Sequence, residues 1–152
     1  MIFLVFLYNC GKTLERVFYK FYDGPIAYKN DLAFIELDFK YGVSEFPILI
    51  KTIDGNKVKG LNDPFKDPQI HFFAIKPGEH AVTVTYGMGW GHGAGVYSIA
   101  PLSITFTAYK GKVYTVVANI NRSILRWNPK IIEIPVDFRT FPPGPNNTYI
   151  KS

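Results

Sequence analysis

The stretch QIHFFAIKPGEHAVTVTY, residues 69–86, decides the fold class. Gln69 to Ile75 is an apolar, aromatic run of strand length. Lys76-Pro77-Gly78-Glu79 then places proline and glycine at the two central positions of a type II turn. His80 to Tyr86 returns with period two: His80, Val82, Val84 and Tyr86 share one face, and Ala81, Thr83 and Thr85 the other. Strand, tight turn and strand follow one another with no residue to spare. That is the grammar of an all-β protein.

Working outward, the pattern repeats. Ala33, Ile35, Leu37 and Phe39 alternate with Phe34, Glu36 and Asp38, which predicts a strand. Phe46 to Ile53 forms another and closes at Asp54-Gly55, a type I′ hairpin signal, with Lys57 to Leu61 continuing the ribbon. NDPFKDP, residues 62–68, is a loop. Leu102, Ile104, Phe106 and Ala108 point inward, and Lys110-Gly111 turns the chain into Lys112 to Asn119. There Tyr114, Val116 and Ala118 share a face, so the Tyr114 hydroxyl needs a partner inside. Ile131 to Val136 is the last expected strand. No 3.6-residue period is sustained after residue 30. The expectation is an antiparallel β-sandwich of about seven or eight strands, with three hairpins and no helical crossovers.

The front of the chain obeys different rules. MIFLVFLYN is unbroken in its apolarity up to Tyr8 and stops at the only cysteine, Cys10. It reads as the apolar core of an export signal, although no Lys or Arg precedes it; a start further upstream would supply one. Leu7-Tyr8-Asn9-Cys10 resembles a bacterial lipobox, with Asn9 where a small residue is usual. Cys10 is then the lipid attachment point. The competing reading is an edge strand, MIFLVFLY, with Cys10 as a small buried hydrophobe. The expected organisation is a signal-like segment over 1–9, a tether over 10–30, a sandwich over 31–137 and a flexible tail over 138–152.

The 152 residues suit a single domain, and 47% hydrophobic and 16% aromatic content suffices for a core. The net charge of +5 is spread over separated lysines (Lys51, Lys57, Lys59, Lys66, Lys76, Lys110, Lys112), which argues against a nucleic-acid surface. One cysteine excludes an internal disulfide. No run reaches the roughly 20 apolar residues of a spanning helix.

Reactive groups are few. Gly87 to Gly95 (GMGWGHGAG) lacks the Gly-Lys-Ser/Thr of a phosphate loop and reads as a flexible connection that displays Trp90 and His92 at a sandwich edge. With Trp127, these are the candidate ligand-binding residues; the alternatives are a loop tip with Trp90 folded back on the sheet and Trp127 covering one end of the core. His71 and His80 share parity with apolar neighbours and read as hydrogen-bonded core histidines. A metal held by His80, His92 and Asp54 requires a spatial coincidence, so no metal and no cofactor is expected. Acids such as Glu36, Asp38, Glu133 and Asp137 fall on solvated faces, no G-x-S-x-G elbow occurs, and no catalytic residue is assigned.

Three phrases carry a family resemblance: Ile53-Asp54-Gly55, Lys76-Pro77-Gly78-Glu79-His80 with AVTVTY, and Ile104-Thr105-Phe106-Thr107-Ala108 with GKVYTVVA. Their order, with Tyr22-Asp23-Gly24-Pro25 shortly after the cysteine, resembles a group of small, uncharacterised bacterial lipoproteins over residues 10 to 137. The PGxH phrase is similar, more distantly, to PEGA and carboxypeptidase-regulatory-like modules. The resemblance implies an immunoglobulin-like or prealbumin-like sandwich in the cell envelope, without catalytic residues. The expected function is a non-enzymatic structural or binding lipoprotein, held at the membrane through a lipid anchor. A cell-wall polymer, a carbohydrate or a protein is its candidate partner. The alternative is a soluble carbohydrate- or peptide-binding module that uses the Trp90/His92 loop.

Overall fold

A computed structural model describes residues 15–25, 27–38, 48–59, 69–88, 96–97, 100–121, 126–135 and 149–150. Their strands are β1 (Glu15–Lys20), β2 (Ala33–Asp38), β3 (Ile48–Ile53), β4 (Asn56–Lys57), β5 (Gln69–Ile75) and β6 (Gly78–Met88). β7 (Val96–Tyr97), β8 (Leu102–Ala108), β9 (Val113–Asn121), β10 (Arg126–Ile134) and β11 (Tyr149–Ile150) complete the set. The only helical element among them is a single 3₁₀ turn, Lys29–Asp31. The protein is all-β, as its period-two patterning requires.

Two sheets form. One runs β10-β9-β2-β5-β1-β11; the other runs β4-β3-β6-β7, with β8 along β6 as well. Their facing sides share one core. Val17, Tyr19, Ile35, Phe73, Ile75, Tyr114 and Val116 from the first sheet meet Ile50, Ile53, Val82, Val84 and Ala108 from the second. The architecture is sandwich-like. Each large side chain taken fully out of water here contributes about 1.5–3 kcal/mol.

Three features depart from expectation. The first sheet is mixed rather than antiparallel: β1 runs parallel to β5 and to β11, and β2 runs parallel to β9. Residues 15–20, read from the sequence as part of a tether, form a strand inside this sheet, and Tyr149–Ile150 of the expected flexible tail lies beside it. The reason is side-chain pairing on both faces. Phe18 stacks on Phe72 at 4.9 Å, and Tyr19 stacks on Phe73 at 5.2 Å. Both pairs are in register across β1 and β5.

The hairpins differ too. Asp54-Gly55 closes the β3–β4 hairpin, with Ile53 opposite Asn56. Both turn residues take positive φ, 51° and 78°, as a type I′ turn demands. The other two turns change sheets. Pro77-Gly78 links β5 of the first sheet to β6 of the second, and Lys110-Gly111 links β8 of the second to β9 of the first. Turn chemistry fixes a reversal of the chain; it does not fix which partner the next strand finds.

Finally, Phe34 is buried, although it lies on the opposite face of β2 from the buried Ala33, Ile35 and Leu37. It joins Phe18, Leu32, Phe72, Ala74 and Val113 in a second apolar cluster on the other side of the first sheet. The central strands are therefore covered on both faces, which suits the parallel pairings. At one edge, β10 begins five residues earlier than Ile131 and carries a buried Pro129 opposite Ala118. An edge strand tolerates proline because one side of its backbone has no ladder to feed.

Candidate functional site

A turn that ends one strand and two turns that join others converge on one open cleft of about 910 Å³. Lys20, Phe21, Tyr22 and Asp23 come from the end of β1, and Asp54, Gly55, Asn56, Lys57 and Lys59 from the β3–β4 hairpin. Lys76 and His80 come from the turn between β5 and β6. The backbone holds these pieces in place. Phe21 N–H donates to Ala74 C=O at 2.9 Å and extends β1, while Val58 N–H donates to Lys51 C=O at 2.9 Å and extends the hairpin.

Asp54 and His80 form the centre of this arrangement. The Asp54 N–H donates to Ala81 C=O at 2.8 Å, and Asp54 Oδ1 accepts from Ala81 N–H at 2.9 Å. Asp54 Oδ2 lies 2.6 Å from His80 Nδ1, and His80 Nε2 lies 2.6 Å from Lys76 C=O. The His80 side chain is only 10% exposed, so both of its ring nitrogens must be satisfied by the protein, and both face acceptors. The group thus stitches the tip of the β3–β4 hairpin to the start of β6 and to the preceding turn.

His80 was expected as a hydrogen-bonded core histidine; it is hydrogen-bonded, with its ring 6.0 Å from Phe106, but it lines the open cleft instead of the core. Its meeting with Asp54 was not legible locally, since 26 residues separate them. His71 is buried and shares a 3.1 Å hydrogen bond between its Nδ1 and the Tyr19 hydroxyl. The same burial pushes the Tyr19 phenol above its ordinary pKa of 10.0. Among the described residues no three of His, Cys, Asp or Glu gather as a metal site.

The lysines give the cleft its charge. They are far apart in sequence, yet Lys20, Lys57, Lys59 and Lys76 line one concavity, with Asp23 and Asp54 as the acids among the described residues. Lys20 Nζ sits 4.9 Å and Lys76 Nζ 5.9 Å from the centre of the Tyr22 ring. Lys20 also donates to Gly24 C=O, and the Tyr22 hydroxyl accepts from Ala27 N–H at 2.9 Å. The ring is therefore fixed at the hydroxyl and has two lysine ammonium groups near its centre.

No family model, no curated protein and no solved structure matches this chain.

Of the residues singled out from the sequence, Cys10, Trp90 and His92 lie outside the described residues. Trp127 is half-buried and packs against the main core from β10, at the opposite end of the first sheet from β1. It does not line the cleft. Glu133 meets Lys112 at 2.6 Å with both side chains half exposed, a solvated ion pair. No membrane-crossing helix, long and apolar enough, occurs among the described residues.

Proposed function

We propose that this protein is a non-catalytic, cell-envelope lipoprotein that binds a ligand in its cleft. The observation that carries the reading is the way Asp54 and His80 are used. Catalytic acid–base work needs a side chain with a free proton site within reach of a substrate. Here both ring nitrogens of His80 and both carboxylate oxygens of Asp54 are engaged by protein groups. Such a pair supports a binding surface by holding its walls still.

The apolar run that stops at Cys10 supports attachment through that cysteine. Seven residues separate Cys10 from the two aromatic-paired residues that open β1 into the core, Phe18 and Tyr19. An anchor at Cys10 therefore leaves only a short link and holds the domain close to the membrane. An immunoglobulin-like or prealbumin-like class is part of the same proposal, from the PGxH phrase and the two-sheet architecture.

Mass spectrometry of the protein taken from its native membrane tests the anchor. The expected N-terminus is a lipid-modified Cys10. An intact Met1 on the membrane-derived protein overturns it.

A further inference from the structure

We infer that the cleft accepts a ligand bearing two or more phosphate groups. The inference deepens the proposed binding role and rests on it, because it names the chemistry of the ligand at that same site.

Among the described residues, four lysines and two aspartates line the cleft. Of those aspartates, Asp54 already holds His80 Nδ1 and Ala81 N–H. Among the described residues, none of the four lysines forms an ion pair. Lys57, Lys59 and Lys76 are exposed, so their flexible stems can turn toward a bound anion. A concave wall with an uncompensated surplus of one sign focuses its field on ions of the other.

The type of cation narrows the class. Among the described residues, the cations that line the cleft are all lysines. Lysine offers a compact point charge with three rotatable donors, which suits a tetrahedral group with several equivalent oxygens. The lysines stand on three separate elements, which suits phosphates spaced along a ligand more than one isolated anion. Their placement also depends on the Asp54–His80 group, because Lys57 and Lys59 follow the hairpin tip that it secures and Lys76 supplies its carbonyl.

Titration calorimetry at low ionic strength with inorganic tripolyphosphate tests the inference. Parallel titrations use phosphatidylglycerol vesicles, polygalacturonate and a neutral chitooligosaccharide. Tripolyphosphate is expected to bind, with affinity that falls as salt rises. The K59Q/K76Q double variant is expected to weaken binding about twofold to fivefold per charge removed. Both lysines are exposed, so the fold should survive, and circular dichroism checks that it does. K130Q, at an exposed lysine on β10, should leave binding unchanged.

Binding to vesicles with the same dependence on Lys59 and Lys76 also supports the inference and assigns the phosphate to a lipid headgroup. Preference for polygalacturonate or the neutral sugar, lost in the double variant, overturns the phosphate class and leaves the binding role standing. Absence of any binding that depends on Lys59 and Lys76 overturns both.

Discussion

Removal of the Asp54 carboxylate should loosen the wall of the cleft without touching the core, and its cost can be built from three contributions. Asp54 is 38% exposed, so its contact with His80 is worth what a surface pair is worth, about 0.5–1 kcal/mol. The hydrogen bond from Ala81 N–H adds about 1 kcal/mol. The third contribution is the backbone: Asp54 sits at φ 51°, where alanine costs about 1 kcal/mol more than an aspartate able to bond locally. Asp54→Ala should therefore lose about 2.5–3 kcal/mol. For a chain of this length that lowers Tm by about 5–12 °C.

Two further substitutions separate the contributions. Asp54→Gly relieves the backbone but loses both side-chain contacts, so it should fall about 1 kcal/mol short of the alanine loss. Asp54→Asn keeps the turn and an acceptor for Ala81 N–H, and should stay within about 1 kcal/mol of wild type. Urea unfolding followed by circular dichroism measures all three, with the slope m expected to be constant. An alanine variant as stable as wild type would refute the reasoning, as would an asparagine variant as unstable as alanine.

Two other predictions follow from single side chains. The Tyr114 hydroxyl accepts from Tyr109 N–H at 3.0 Å, so Tyr114→Phe strands that donor beside a turn and should cost about 1–3 kcal/mol in the same unfolding assay. Tyr19, whose pKa is raised by burial, keeps its proton in the folded state after the unfolded chain has released it. Stability is then fully present below pH about 10 and falls as pH rises beyond it, because the folded state binds more protons there. Tyr19→Phe should flatten that decline in unfolding midpoints measured from pH 8 to 11, apart from a constant loss for its bond to His71.

What the sequence made legible was whatever depends on neighbours in the chain. The alternation of β6 and β9, the inward Tyr114 with its satisfied hydroxyl and the Asp54-Gly55 turn all rest on local rules, and all are present. What stayed hidden depends on partners far along the chain. ERVFYK carries apolar residues on both faces between charged ends, so it does not look like a half-buried strand; only pairing with β5 buries Val17, Phe18 and Tyr19. Pro77-Gly78 and Lys110-Gly111 announce reversals, yet the sheet change follows from which core each strand completes.

The cleft was invisible for the same reason. Lys20 reaches Lys76 because β1 lies parallel to β5, with Lys20 opposite Ala74. Lys57 and Lys59 reach them because the β3–β4 tip is tied to Ala81. Separation in sequence suggested a dilute basic surface; the register of two strands makes it a concentrated one. His80 showed its parity in the sequence, but nothing local pointed to Asp54.

The most direct test of the account is a ¹H–¹⁵N NMR titration of the folded protein with tripolyphosphate. The account predicts that shifts concentrate on the end of β1 around Lys20 to Asp23, on the hairpin from Asp54 to Lys59 and on Lys76 to His80, while β10 stays unmoved. Shifts centred on β10 and Trp127, or none at tripolyphosphate concentrations that saturate exposed lysines, would contradict it.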